Sequence, residues 1–177
     1  MMTTKRISIG GPRGGEVTTW KFGPPRLGRA GLTPASANVL ALSDEDCWSL
    51  LRSHRLGRVA IVIEGRPRIF PVSYAAGEDT VVFRTEPGAK LQYGPGSAAC
   101  FEIDDYDQRT AMAWSVMVVG VLKDITDATD ARSRGLRRLA VEPVAPGRRV
   151  HWLALGADEV SGRSFRGGWV APGHYLG

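Results

Sequence analysis

The chain has 177 residues, 43% of them hydrophobic, which suffices for one domain with a sizeable core but not for two full domains. No apolar run approaches the ~20 residues that a membrane helix needs, and the polar first residues lack the apolar segment of a secretory leader. Cys47 and Cys100 are too few for a disulfide framework and lack metal-ligand spacing. We therefore expect a cytoplasmic protein without a membrane segment or a metal site.

The formal net charge of +5 comes from the first residues. Between Met1 and Ala35 there are six basic residues and one acid, whereas positive and negative side chains balance in the rest of the chain. A charged tail contacts phosphate backbones without specificity, so no specific nucleic-acid partner is expected. Because residues 1–38 are also rich in Gly and Pro, we interpret them as an irregular extension and residues 39–177 as the folded domain.

The folded domain is predicted to begin with a helix. Ser43 is placed to cap it and Asp44–Asp46 to form an acidic first turn, which suits the positive end of the helix dipole. Apolar side chains then recur with a helical period as far as His54, and Gly57 is expected to end the helix.

Short segments rich in β-branched and apolar residues follow, separated by turn residues. The predicted strands are residues 58–64, 67–75, 80–85, 98–103 and 113–125, and the last strands start at residue 150. Gly65–Arg66 is the predicted turn of the first hairpin, and the acidic residues 104–107 are predicted to form a loop. This succession of strands favours a mainly β (α+β) fold, an antiparallel barrel, over an alternating α/β sheet.

Two further helices are predicted between the strands. A short one follows Pro87–Gly88, and a longer helical segment covers residues 127–141 before a loop at 143–147. In the longer segment Leu136 and Leu139 are expected to face inward. Its arginines are expected to face outward: Arg132, Arg134, Arg137 and Arg138.

The common catalytic signatures are absent from the sequence: no dinucleotide glycine fingerprint, Walker loop, HExxH pair or nucleophile elbow occurs. His54, His151 and His174 are scattered along the chain, and we interpret them as structural. Catalytic residues are therefore not predicted, and chemistry by this chain would need a bound cofactor.

The end of the predicted strand 80–85 carries a possible anion site. Arg84 and Thr85 close the strand, the chain turns at Pro87–Gly88, and Lys90 lies in the first helical turn. With the backbone N–H groups of the helix start, these side chains would bind a monophosphate, Arg as a fork and Lys as a point charge. Solvated cations without a common ligand are the alternative.

Pro71 is unusual inside a strand, because proline cannot donate to the ladder of hydrogen bonds. An open edge or a bulge is therefore predicted there, and such a gap would let a planar ligand lie against backbone groups. Ser73 would supply one further hydrogen-bond partner. An edge-strand proline with no ligand is the alternative.

Five pieces of the sequence, in their order and spacing, resemble the actinobacterial branch of the pyridoxamine 5'-phosphate oxidase-like flavoproteins. They are Leu-Gly-Arg-Val-Ala at 56–60, Gly-x-Pro-x-Ile-Phe-Pro-Val-Ser-Tyr at 65–74, Phe-Arg-Thr-x-x-Gly-x-Lys-Leu at 83–91, Phe-Glu-Ile-Asp at 101–104 and Trp-Ser-Val-x-Val-x-Gly at 114–120. The similarity covers about residues 42–165. It implies a dimeric antiparallel split β-barrel with a few short helices and one FMN in each of two interface clefts.

The resemblance also implies which residues bind the cofactor. Residues 68–73 would line the isoalloxazine ring, and residues 114–115 would reach the cofactor from the same or the partner subunit. The ribityl phosphate would be held by Arg84, Thr85 and Lys90. The full implied set is Arg68, Phe70, Pro71, Val72, Ser73, Arg84, Thr85, Lys90, Leu91, Trp114 and Ser115.

The implied function is an FMN-dependent oxidoreductase that acts on a small molecule, with the flavin carrying the chemistry. Ser161–Phe165 does not match the Arg- and His-rich segment with which the oxidase itself grips pyridoxal phosphate, so oxidation of vitamin B6 is not expected. The alternatives that stay open are the same fold with F420, the same fold with heme and His151 as its ligand, and a non-catalytic flavin carrier or redox sensor.

Overall fold

The computed structural model describes residues 39–107, 109–142 and 149–166. The predicted extension over residues 1–38 and the predicted loop over residues 143–147 lie outside these described residues. Within them, no helix combines the length and the apolar character that crossing a membrane requires.

The described residues form seven strands and three helices. The strands are β1 (Val39–Ala41), β2 (Leu56–Ile63), β3 (Arg66–Ala76), β4 (Thr80–Thr85), β5 (Ala98–Asp107), β6 (Met112–Asp124) and β7 (His151–Arg166). The helices are α1 (Asp44–Ser53), α2 (Ala89–Tyr93) and α3 (Ala131–Leu136).

The strands pair in antiparallel fashion, and the sheet closes on itself. Their order is β1-β7-β4-β3-β2-β5-β6, and β6 also pairs with β7, so that six strands form a closed barrel. β7 is 16 residues long and pairs with β4 over its first part, with β1 near its end and with β6 along most of its length. The predicted mainly β barrel with a few short helices is confirmed.

Side chains alternate between the inside and the outside of the barrel, as strand geometry requires. The inside is filled by apolar side chains, among which Tyr74, Phe83 and Phe101 are fully buried. Tyr74 packs edge-on against Phe101, with 4.7 Å between ring centroids, and donates its hydroxyl to the Leu51 carbonyl over 2.8 Å. That hydrogen bond ties α1 to β3. The N-terminus of α1 is capped as predicted, since the Ser43 hydroxyl accepts from the backbone amide three residues on.

A second apolar cluster lies on the outer side of β3, β4 and β7, where α3 and the chain around it cover the barrel. Arg137 was expected to face outward, but it is half-buried and its guanidinium donates to the carbonyl groups of Ile125 and Ala128. The prediction treated arginine as a solvated residue, whereas here it satisfies two loop carbonyls. The helix itself is shorter than the predicted 127–141, since its cap Asp130 accepts from the Ser133 amide and starts it late.

The end of α1 differs from the prediction. The helix ends at Ser53 because the Arg55 carbonyl already accepts a hydrogen bond from the Tyr74 amide of the sheet. Gly57 therefore lies within β2. A Cβ there would come within 2.2 Å of the Phe101 ring, so this glycine permits close packing rather than a helix stop.

Two turns were also misassigned. The first hairpin turns at Glu64–Gly65 and not at Gly65–Arg66, since both residues have positive φ (51° and 75°), the type I′ geometry of two-residue hairpins. The acidic residues 104–107 belong to β5 and pair with Met112–Ser115 instead of forming a loop. Arg58 on the neighbouring strand bonds two carboxylates of β5, which offsets the charge that suggested a loop.

Candidate cofactor site

Over the part of β3 that contains Pro71, only one edge of the strand has a strand partner. Along Arg66–Ser73 the strand pairs with β2, whereas it pairs with β4 only from Tyr74 to Ala76. The described strands therefore leave the other edge of residues 66–73 without a strand partner. The barrel is split along this edge, and backbone groups there remain for a ligand.

The last residue of β4 that pairs with β3 is Phe83, opposite Tyr74. Arg84 and Thr85 extend β4 beyond that pair. They point to opposite faces. Thr85 is 2% exposed inside the barrel, and its hydroxyl donates to the Glu86 carbonyl over 3.1 Å. Its side chain is therefore already bonded, and the structure does not bring it onto the face that Arg84 occupies.

Arg84 lies on the outer face beside Trp152 of β7, its cross-strand neighbour. The guanidinium carbon is 5.3 Å from the centroid of the indole ring. Its Nε is buried and has no hydrogen-bond partner within the described part of the chain. Arg84 also takes part in none of the ion pairs found there. A buried N–H without an acceptor destabilises the protein, and an anion that accepts from the guanidinium would offset part of that loss.

Lys90 lies in α2 with its ammonium 4.8 Å from the centroid of the Phe70 ring. Burial lowers the pKa of Lys90, the nearby Arg149 cation lowers it further, and Glu86 acts in the opposite direction. Among the described residues Lys90 forms no ion pair. Because α2 has only five residues, the positive charge here comes from side chains rather than from a helix dipole.

Gly88 is the residue that directs the chain from β4 into α2. Its φ of 154° and ψ of −166° lie in a region that is essentially restricted to glycine. No atom lies within 4 Å of the position that a Cβ would take, so the backbone conformation and not the available space requires glycine. This turn allows α2 to place Lys90 over β3.

The predicted residues of β3 are divided between two faces. Phe70 and Val72 point toward the barrel core, and Val72 is only 6% exposed, so that its backbone alone can meet a ligand. Pro71 and Ser73 alternate to the outer face, and Arg68 is exposed. Leu91 of α2 packs against the core as Phe70 does.

Trp114 and Ser115 lie on β6, in a different part of the barrel. The indole of Trp114 meets the His54 ring edge-on, with 4.8 Å between centroids and 63° between planes. Nδ1 of His54 is 2.9 Å from the Leu50 carbonyl and 3.0 Å from the Ser53 hydroxyl. Within the described part, no hydrogen bond, ion pair or ring contact joins Trp114 or Ser115 to Arg84. That Trp114 and Ser115 reach the cofactor, from the same or the partner subunit, stays a prediction.

Sequence reasoning missed Trp152 and Arg149. Trp152 reaches the site because β7 pairs with β4, and the charge of Arg149, just before this strand, acts on Lys90. Neither residue belongs to a local motif. Arg84 and Trp152 lie far apart in the sequence, and they can be recognised as a pair only once the register between β4 and β7 is known.

A barrel split along one strand edge, with cations lacking carboxylate partners where the adjacent strand ends, defines a split β-barrel protein with a candidate anion site. Comparison with known sequences agrees with this class. The chain belongs to the pyridoxamine 5'-phosphate oxidase family, whose sequence profile matches residues 43–164. The resemblance predicted from the sequence is therefore confirmed.

Three relatives illustrate the similarity. An uncharacterized protein of Mycobacterium tuberculosis is 32% identical over 102 residues, which are 54% of this chain and 67% of that protein. The FAD binding protein from Mycobacterium smegmatis is 30% identical, with a TM-score of 0.54 over 72% of this chain and 99% of that chain. An FAD-binding protein from Mesorhizobium loti, 23% identical, supports the fold alone, with a TM-score of 0.56 over 71% and 97% of the two chains.

Proposed function

We propose that this protein binds FMN and works as an oxidoreductase on a small molecule. One observation carries the proposal: the chain that runs from the end of β4 into α2, beside the open edge of β3, carries two partly buried cations, Arg84 and Lys90, without an ion pair in the described part. Desolvated charges are unfavourable unless a partner compensates them. A ribityl phosphate would compensate both cations and bring a planar ring to the open strand edge.

The residues around the split would divide the task of binding. Arg84 would hold the phosphate as a fork and Lys90 as a point charge. The open edge of residues 66–73 would meet the polar rim of the ring, with Phe70 and Pro71 as apolar neighbours. Flavin supplies hydride or electron transfer when bound, and the protein's part is to orient it and to tune it through nearby backbone groups.

The relative from M. smegmatis supports the choice of a flavin, since it is named as an FAD binding protein. FAD and FMN contain the same riboflavin 5'-phosphate. We propose FMN because Arg84 and Lys90 suffice for one phosphate group. F420, or heme held by His151, would be a different cofactor in the same fold.

We further propose that two copies associate with the flavin at their interface. The outer face of β2, β3 and β6 carries four apolar side chains, Leu56, Val62, Ile69 and Met117, which are between 40% and 67% exposed and lie around the ion pairs of Arg58. The strand registers place these side chains on one side of the sheet. Exposed apolar patches of this kind are typical of protein interfaces. Association through this face would also bring Ser115 of the partner subunit, which shares the side of β6 with Met117, toward the flavin.

The visible absorption spectrum of the freshly purified full chain tests the cofactor, together with the mass of the compound that it releases. A yellow, two-band spectrum and release of FMN are expected. Released FAD, F420 or heme would keep the fold and replace the proposed cofactor. A colourless protein that takes up no added FMN would contradict flavin binding.

Turnover separates an enzyme from a flavin carrier or sensor. In the oxidoreductase, an electron donor and an oxidised small molecule such as a quinone should reduce and reoxidise the bound FMN repeatedly, faster than they do free FMN. A carrier or sensor would retain FMN without this acceleration. In that case removal of residues 1–38 should leave flavin occupancy intact and abolish binding of a partner protein.

A further inference from the structure

Arg84 and Trp152 are direct partners across the β4–β7 pair and therefore project from the same face of the sheet. The guanidinium carbon lies 5.3 Å from the centre of the indole ring. A planar guanidinium stacks on an aromatic face, whereas an ammonium on its flexible stem does not adopt the same arrangement. The indole thus lies against one side of the Arg84 guanidinium.

Among the residues that the structure describes, no hydrogen bond explains how the Arg84 side chain is held. Its Nε is buried and without a partner in the described part of the chain, so the ring contact is what fixes the inner end of the fork. No ion pair there involves its terminal nitrogens either. These nitrogens are the groups with which arginine grips an oxyanion in two parallel hydrogen bonds.

Trp152 is itself fixed by the framework of the barrel. Its backbone amide donates to the Thr126 hydroxyl over 2.9 Å, and its carbonyl accepts from the Ile125 amide over 2.9 Å. Its indole packs against the outer cluster that contains Val82 and Ala154. The Trp152 indole is therefore in place before any ligand binds, and a preorganised group loses less entropy on binding.

We propose that Trp152 is a positioning residue that holds the Arg84 fork for a phosphate and thereby sets the preference for phosphorylated over unphosphorylated flavin. This inference rests on the proposed function. It assigns Trp152 no contact with the reacting part of the flavin, so its loss should change discrimination between FMN and riboflavin and leave the binding of riboflavin unchanged.

The test measures the dissociation constants of FMN and riboflavin by flavin fluorescence titration in the full chain and its variants. Trp152→Leu should lower the preference for FMN by about tenfold, the size of one charge-assisted hydrogen bond, with the riboflavin constant unchanged. Trp152→Phe retains an aromatic face and should keep most of the preference. Trp48→Leu, a tryptophan of α1 that packs on the inner core, is the matched control and should keep all of it.

A ligand-free measurement separates positioning from general loss of structure. The Nε–H resonance of Arg84, identified by its absence in Arg84→Lys, should be shifted upfield by the indole ring in the native chain. Trp152→Leu should remove this shift while the other amide resonances stay dispersed. The double variant Trp152→Leu, Arg84→Leu should bind FMN no more weakly than Arg84→Leu alone.

Two binding results would overturn the inference: an unchanged FMN preference in Trp152→Leu, or equal losses of FMN and riboflavin affinity in that variant. An Arg84 resonance without a ring-current shift would overturn it as well. If the native chain binds both flavins equally, the phosphate site itself is wrong and the inference falls with it. When only the role of Trp152 is wrong, the native chain still prefers FMN over riboflavin. This preference distinguishes failure of the inference from failure of the proposed function.

Discussion

The ammonium of Lys90 lies 4.8 Å from the centroid of the Phe70 ring, so that a cation from α2 covers an apolar side chain at the split of the barrel. The ring offsets part of the burial that lowers the pKa of Lys90, since cations are attracted to aromatic faces. Because the pKa of Lys90 is lowered, burial and the charge of Arg149 outweigh the interactions that favour its charged form. Lys90 is thus a residue whose charge disfavours folding of the free protein and favours binding of an anion.

Replacing Lys90 by Met should therefore stabilise the ligand-free protein at neutral pH. A lysine whose folded-state pKa is lowered destabilises the native state wherever it is charged, and this effect disappears as the pH rises through the folded pKa toward the unfolded value. The difference in free energy of unfolding between Lys90→Met and the native chain should shrink over that interval. Urea unfolding at neutral and alkaline pH measures it. Lys123→Met, at an exposed position, is the control, and a difference that stays constant with pH would point to packing instead.

Removal of the two cations should weaken FMN far more than riboflavin. Arg84→Ala and Lys90→Ala should each reduce FMN affinity by about 1.5–3 kcal/mol, because a charge-assisted hydrogen bond to the phosphate is lost. Riboflavin lacks the phosphate and should bind as before. Calorimetric titration with both ligands measures the difference, and Arg138→Ala, an exposed arginine after α3, serves as the control. Equal losses for both ligands would mean that the phosphate is bound elsewhere.

The first hairpin should become more stable when Glu64 is replaced by Asn. Glu64 has a φ of 51°, which is unfavourable for most side chains and tolerated by Asn, and Asn-Gly is the preferred pair of a type I′ turn. We expect a gain of about 1 kcal/mol in the free energy of unfolding, measured by chemical denaturation. Glu64→Gln removes the charge and keeps the strain, so it should leave stability unchanged. An equal gain in both variants would assign the effect to charge.

Gly120 should not tolerate even a methyl group. A Cβ there would lie 1.9 Å from the Gly156 carbonyl oxygen, at the bulge where β6 and β7 shift register. Gly120→Ala should therefore lower the free energy of unfolding by about 2 kcal/mol or more. Gly156→Ala is the matched control, since nothing lies within 4 Å of its Cβ position. Similar losses in the two variants would show that the bulge can relax.

Ile69→Glu should turn the proposed homodimer into a monomer. Ile69 is 67% exposed on the outer face of β2, β3 and β6, where a carboxylate would be buried without a partner on association. Light scattering coupled to size-exclusion chromatography measures the mass of each variant. Leu40→Glu on β1 changes an equally exposed residue, 67%, outside that face and should leave the dimer intact. A native chain that is monomeric at micromolar concentration would contradict the proposal.

The sequence predicted most elements of the barrel because their signals are local. Ser43 with its acidic turn marks the start of α1, and β-branched runs mark β2, β4 and β6. Pro71 predicted an interruption, and β3 indeed lacks a partner along that stretch of its β4-facing edge. These features depend on residues that are close in the chain, and the sequence shows them directly.

Relationships between distant strands could not be predicted in this way. The contact of Arg84 with Trp152 depends on the register between β4 and β7, which turn chemistry does not fix. Arg137 was misplaced for a related reason, because the carbonyls that it satisfies lie in a loop whose course only the packed structure defines.

The length of β7 has a consequence for synthesis of the protein. This strand joins β4 to β6, and it is made after every other strand of the described barrel. Until it emerges from the ribosome, β4 and β6 each have an edge without its final neighbour, and unpaired edges invite contact with other chains. Codons that slow translation just before β7 would therefore prolong the exposure of these two edges, and rapid completion of β7 would shorten it.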